Sequence, residues 1–348
     1  MYISNLGPRL LALSALTLLL SALAPQAWSA DEPSGKPDKP KPGARAQRAL
    51  TIEDFSVVEL RAQAVSDARS MRTLGPRRQG GGIVIDSSGL ILTIGYLITE
   101  AESIEILVKD SKPVTASVVA FDAATGLGLV RTATPIDVKP IEFGDSEKLA
   151  DREPVLIVGF DGAAPALIVS RRPFTGSWEY LLDEAIFTAP ATTGWSGAAL
   201  INREGKLIGV GSLAVSDATG HSRYLPGNMF VPIDVLKPIL GDLIANGKTA
   251  DRPRPWLGVN TQEVQGKVVV TRVNPESPAD AGGLHEGDII LGIRGQPVHD
   301  QADFYKKLWA SGEAGVEIAL DIIQGTELKK VSVKSIDRDK YFRPRPIY

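Results

Sequence analysis

From Ser56 onward the chain is a succession of short apolar runs broken by Gly, Pro or Asp, and this rhythm limits the folds open to it. VVELRAQAV, residues 57 to 65, alternates Val58, Leu60, Ala62 and Ala64 against Glu59, Arg61 and Gln63, the period of a half-buried strand, with a helix as the alternative. GGGIVIDSSGLILTIGYLI, residues 80 to 98, gives two apolar runs around a turn at Asp86 to Gly89, which predicts a hairpin. SIEILVKD, PVTASVVAFD, GLGLVRT, PVLIVGF, ALIVS, EAIFTA, AALIN, KLIGVGS and NMFVPID follow, each short and β-rich, at intervals of roughly ten residues. Strands so spaced, without helices between them, predict antiparallel barrels or sandwiches rather than a doubly wound sheet. VLKPILGDLIANG, residues 235 to 247, alone in this region has the pattern of a helix, closed by Gly247 as a C-terminal cap.

The 348 residues suffice for two or three domains, each with its own core, and the 34 Gly and 24 Pro fit a turn-rich architecture. Lys and Arg total 38 against 41 Asp and Glu, a net charge of −3 with no basic cluster. That balance argues against a nucleic-acid partner. With no cysteine, disulfides, thiolate catalysis and cysteine-based zinc sites are excluded, and nothing in the residues calls for a cofactor or a metal.

The N-terminus has the build of an export signal. Arg9 precedes the apolar run LLALSALTLLLSALA, residues 10 to 24, which is short for a membrane span. Ala27 and Ser29 are the small residues at the −3 and −1 places of a cleavage after Ser29; an uncleaved anchor is the alternative. A signal peptide over 1–29 places the mature chain in the periplasm or outside the cell. DEPSGKPDKPKPGARAQR, residues 31 to 48, is proline-rich, of alternating charge and without apolar residues larger than alanine, and predicts a disordered spacer over 30–52.

One turn carries chemistry. In ATTGWSGAAL, residues 191 to 200, Ser196 stands before Gly197 and two places after Gly194. Backbone N–H groups of Gly194 and Ser196 could converge on one oxygen, the oxyanion-hole arrangement that acyl transfer needs. A Gly-x-Ser-Gly turn is also what any sharply bent loop uses, so the residues alone leave both readings open.

The order of motifs resembles the trypsin-like serine proteases of the HtrA/Deg family over nearly the whole mature chain. The resemblance rests on the GGGIVIDSSGLILT hairpin, FDAATGLGLVR, PIEFGDSEKL with VLIVGF, GWSGAALINREGKLIGV, and NMFVPID before a helix. It implies a mostly β chain, with one antiparallel barrel over 53–147, a second with its connecting helix over 148–250, and an active cleft between them. It places the nucleophile at Ser196. The family's histidine position, in a Thr-x-x-His pattern, falls on Tyr96 after Thr93, and its aspartate position falls on Gly126 of Gly126-Leu127-Gly128-Leu129. Trp195 and Ala198 also depart from the family's usual Asn or Asp before the serine and Gly two places after it. A phenol is protonated at neutral pH and serves poorly as a base. Of the three histidines, His285 and His299 lie in the C-terminal region, so His221, in the polar loop SDATGHSRYLPGN, is the one substitute base to weigh against a solvated surface histidine. Asp122 opens the turn AATG and has no histidine to orient.

RPRPWLGVN, residues 252 to 260, followed by VNPESPADAGGLHEGDIILGIRGQPV, residues 273 to 298, resembles a bacterial PDZ domain, here over 254–337 with a tail over 338–348. Ser277 reads as an N-cap before Pro278, Ile289 to Ile293 as a buried strand, and ADFYKKLWASG, residues 302 to 312, as the helix walling the groove with Phe304 and Leu308. The resemblance implies that a peptide's terminal carboxylate binds the backbone N–H groups of Leu257-Gly258-Val259 while the peptide adds a strand. Leu257 and Val259 read equally well as core of a first strand. Two functions remain: an inactive HtrA-like protein binding peptide or unfolded-protein C-termini as adaptor, chaperone or sensor, with the resemblance also suggesting the homo-trimer common in the family, or an active endopeptidase of protein quality control using Ser196 with an unconventional base. Export is checked by N-terminal sequencing of the protein from its natural host, which is expected to begin at Ala30; an intact Met1 would refute it.

Overall fold

The computed structural model describes residues 51–221 and 224–342; the signal sequence, most of the spacer and the last six residues lie outside them. Six strands, β1 (Val57–Ala64), β2 (Arg77–Val84), β3 (Leu90–Ile94), β4 (Ala101–Leu107), β5 (Val114–Phe121) and β6 (Leu127–Thr132), close into a barrel in the order β1-β2-β3-β6-β5-β4. Six more, β7 (Pro154–Gly159), β8 (Gly162–Gly176), β9 (Tyr180–Ala189), β10 (Ala199–Ile201), β11 (Leu207–Val215) and β12 (Gly227–Pro232), close a second in the order β10-β11-β12-β9-β8-β7. All named pairs are antiparallel. The alternation in β1 is realised: Val58, Leu60, Ala62 and Ala64 are buried and Arg61 is exposed.

Two local expectations change. The short helix α1 (Met71–Leu74), between β1 and β2, has no periodic signal. The helix expected over 235–247 is α2 (Leu240–Asn246), preceded by a 3-10 turn over Ile233–Val235. Pro238 has no N–H to donate and restricts the residue before it, so a continuous helix cannot run from 235. Its end is as expected, with Gly247 at φ 71° donating its N–H to Leu243 O at 3.0 Å.

The third unit has its own core, including Leu257, Val259, Ile290, Phe304, Leu308 and Ile322. Its sheet runs β13 (Val259–Val264), β14 (Lys267–Val273), β15 (Ile289–Ile293), β17 (Glu317–Gln324) and β18 (Glu327–Lys334), with β16 (Gln296–Pro297) beside β15, covered by α3 (Pro278–Ala281) and α4 (Gln301–Ala310). The Ser277 side chain accepts from Asp280 N at 3.3 Å with Pro278 at the first helical position, the cap read from the sequence.

The glycine run of β2 sets how the first barrel meets the serine turn. Gly81 N–H donates to Ser196 O at 2.7 Å. A β-carbon on Gly81 would stand 2.6 Å from Gly197 O, and one on Gly80 2.7 Å from Ser196 O. At Gly81 backbone stands against backbone, with no flexible side chain that could yield, whereas at Gly80 the Leu97 side chain also stands in the way. Gly81→Ala is therefore expected to destabilise the protein by about 2 kcal/mol, the scale of overpacking a tight contact, read as a lowered denaturant midpoint; an unchanged midpoint would refute the contact.

Candidate functional site

Tyr96 is carried by the 3-10 turn Gly95–Leu97 that follows β3. A buried guanidinium fixes this turn from behind: Arg78 Nη1 donates to Tyr96 O at 3.0 Å and also to Thr99 O, and Nη2 donates to Ser70 Oγ at 2.7 Å. The Glu100 carboxylate, accepting from Ser70 N and Oγ at 2.8 and 2.5 Å, supplies the countercharge. A buried cation is tolerable only with such pairing. Sequence reading passed over Arg78 and Glu100, which look like surface residues until the fold places them.

The phenol so positioned reaches the serine. Tyr96 OH lies 2.9 Å from Ser196 Oγ and 2.9 Å from Ser212 O. The carbonyl can only accept, so the phenolic hydrogen is contested by two acceptors. Burial pushes the Tyr96 hydroxyl well above the ordinary tyrosine value, opposed by the bond to Ser196, and the phenol stays protonated throughout the neutral range. It cannot take the serine proton.

At Gly126, expected from the resemblance at the aspartate position, the backbone has a shape that favours glycine. Gly126 has φ 76°, and its β-carbon would lie 3.3 Å from the Tyr180 ring and hydroxyl. An L-residue there is strained and also faces a buried aromatic. Tyr180 is held by its OH donating to Thr125 O at 2.7 Å and stacks on Trp178 with centroids 5.5 Å apart and planes at 18°. Asp122 makes the expected turn, its carboxylate accepting from Thr125 N at 2.8 Å. His221 is exposed, and the hydroxyl contact of Ser196 is with Tyr96. His285 bonds Gln324 within the third unit, and His299 N donates to Asp303.

Of the two residues expected to form an oxyanion hole, Gly194 has a carboxylate against it. A β-carbon on Gly194 would overlap Asp161 Oδ1 at 1.7 Å, and Thr193 Oγ1 donates to Asp161 Oδ2 at 3.1 Å. A fixed negative charge beside this turn disfavours a developing oxyanion. The sequence reading did not single out Asp161. A cavity of about 740 Å³, lined by Tyr96, Gly126, Trp178, Tyr180 and Trp195 on the barrel side, is closed by Trp256, Arg272 and Tyr341 on the other.

The loop Leu257-Gly258-Val259 is where the sequence suggested, and it holds a carboxylate. Glu179, in the turn joining β8 to β9, accepts from Leu257 N at 3.1 Å, Gly258 N at 2.7 Å and Val259 N at 3.1 Å. Gly258 has φ 88°, the left-handed conformation that turns successive N–H groups toward one anion. Phe304 and Leu308 are fully buried in the core of this unit. The polar contacts of α4 come instead from Tyr305 and Gln301, neither of which had a signal in the sequence: Tyr305 OH donates toward Gly176 O at 2.9 Å and accepts from Glu179 N at 3.2 Å, and Gln301 Nε2 donates to Thr261 O at 2.7 Å.

Burial pushes the Glu179 carboxyl up to about 7, against the three N–H groups and Arg338 that favour its anion. Tyr305, raised to about 12, and Arg338 keep their charge states across the neutral range, so Glu179 is the group of this cluster that titrates there. Its raised folded value means that the contribution is fully present below about 4.5, the ordinary glutamate value, and is lost as pH rises through about 7. Relative to Glu179→Gln, the unmodified protein is expected to lose up to about 3 kcal/mol across that window. Thermal unfolding of both proteins from pH 5 to 8 checks it; a pH-independent difference would refute the assignment.

Residues 80–210 match a trypsin-like peptidase domain and residues 255–335 a PDZ domain. A "Probable periplasmic serine endoprotease DegP-like" of Pseudomonas putida (strain W619) is 28% identical over 270 residues, covering 73% of this chain and 55% of that protein. A protein of the same description from Marinomonas sp. (strain MWYL1) is 28% identical over 235 residues, covering 63% and 49%. The chain thus spans about half the length of these curated relatives. A solved structure of the HtrA-type protease AlgW, a serine variant with tripeptide, shares the fold with a TM-score of 0.51 at 19% identity, over 85% of this chain and 99% of that one.

Proposed function

We propose that this chain, which belongs to the HtrA/DegP-like trypsin-fold proteins with a PDZ domain, is an exported peptide-binding protein that does not use Ser196 for hydrolysis. The observation that carries the reading is the Tyr96 hydroxyl on Ser196 Oγ. A serine needs a neighbour that removes its proton, and losing a triad member costs on the order of a millionfold in turnover. Here the neighbour is itself a protonated phenol. The carboxylate of Asp161 beside Gly194 works against the same chemistry at the next step. A periplasmic site of action is supported by the names of the relatives and by the N-terminal signal pattern.

The ligand class follows from the PDZ loop: C-terminal carboxylates of peptides or unfolded chains, received by Leu257, Gly258 and Val259, with the role of adaptor, chaperone or sensor. An active endopeptidase would need a base at Ser196, and the described residues offer none. The full chain is expected to take up no fluorophosphonate label beyond that of Ser196→Ala, and Tyr96→His with Gly126→Asp to remain inactive on casein because Tyr180 faces position 126. Ser196-dependent labelling or cleavage by the unmodified protein would overturn the reading.

A further inference from the structure

The turn between β8 and β9 presents three features of a peptide ligand to the PDZ unit together. The Glu179 carboxylate takes the N–H groups of Leu257, Gly258 and Val259. Ser177 O accepts from Thr261 N at 2.8 Å, a main-chain bond of the kind an added strand makes to β13. Leu181 packs against the PDZ core. Glu179 itself stands at φ 56°, a left-handed conformation uncommon outside glycine and Asn or Asp, which brings its side chain beneath the loop and leaves it only 5% exposed. Tyr305 grips the turn from α4 by Gly176 O and Glu179 N. A carboxylate costs much to bury unless its hydrogen bonds are replaced, and these three donors offset part of that cost.

We infer that Glu179 is a tethered ligand: the β8–β9 turn fills the PDZ carboxylate loop in the resting protein, and a peptide with a free C-terminus binds only by displacing it. The inference rests on the peptide-binding reading above and adds the competitor. A groove open for only a fraction of the time binds its ligand more weakly by that fraction, so the internal ligand sets a threshold. It favours partners that offer a carboxylate, a strand and an apolar side chain at once, because each lesser ligand replaces only part of what the turn supplies. Trp178 and Tyr180, which flank Glu179 and line the cavity beside Tyr96, move with the turn when it leaves.

The test uses the full chain and a labelled ten-residue peptide ending in a free valine, with its amide as control. Glu179→Ala is expected to bind the free acid at least tenfold more tightly than the unmodified protein, and Glu179→Gln, which keeps acceptor oxygen without charge, to fall between them. Equal affinity in all three would overturn the inference. A second measurement is independent of peptide affinity: hydrogen exchange at the amides of Leu257, Gly258 and Val259. Faster exchange in both variants supports the tethered ligand even if no peptide binds, in which case the peptide-binding reading fails alone; unchanged exchange overturns the inference. In the unmodified protein, saturating free-acid peptide is expected to raise exchange across 176–181 as the turn is expelled, and peptide bound with no such rise would refute displacement.

Discussion

The Gly81 N–H donating to Ser196 O at 2.7 Å is the contact through which the two barrels locate the candidate site. It demands that β2 present bare backbone, and the sequence answers with three successive glycines, Gly80, Gly81 and Gly82. Gly197, at φ 69°, meets the same strand from the other side, where its β-carbon would stand 2.2 Å from Gly81 O. Thr93 Oγ1, donating to Gly81 O at 2.8 Å, ties β3 and the Tyr96 turn into this seam. The position of the serine is thus set by main-chain packing and owes nothing to a proton-relay partner. A trypsin-like architecture can therefore hold its nucleophile in place while the residues around it change.

Electrostatics divide along the same lines. Around Tyr96 every charge has been settled by pairing or by neutrality: Arg78 faces Glu100, and the phenol stays protonated. Around Glu179 a charge that burial disfavours is held by three peptide N–H groups and Arg338. The first arrangement is inert to pH in the neutral range and the second is sensitive to it. An acid held near neutrality by opposing effects is the kind of group whose occupancy small changes in surroundings can alter.

How much of this could be read from the sequence depended on whether the cause was local. Strand rhythm gave β1, the β2–β3 hairpin and an antiparallel barrel or sandwich, because alternation is a property of neighbouring residues; the choice of two barrels came from the resemblance. Tyr96 and Gly126 drew notice because the flanking motifs of the resemblance assigned them the base and aspartate positions. The helix from 235 was overread because Pro238 acts on the hydrogen-bond ladder and not on apolar periodicity. Arg78, Asp161, Tyr305 and Glu179 carried no local mark. Glu179 in particular sits in an ordinary polar turn, and its role arises from residues some eighty positions later in the chain, which no pattern of neighbours can encode.

Gly126 and Tyr180 tie the candidate site to the PDZ loop through stacked rings. An aspartate at 126 needs the space that Tyr180 faces, and Tyr180 stacks on Trp178, which adjoins the residue engaged with the PDZ loop. A side chain at 126 presses first on Tyr180 and, through the Trp178 stack, on the turn that carries Glu179. A change at either end is therefore felt at the other: the space at 126 and the attachment of the PDZ unit are set by the same pair of rings.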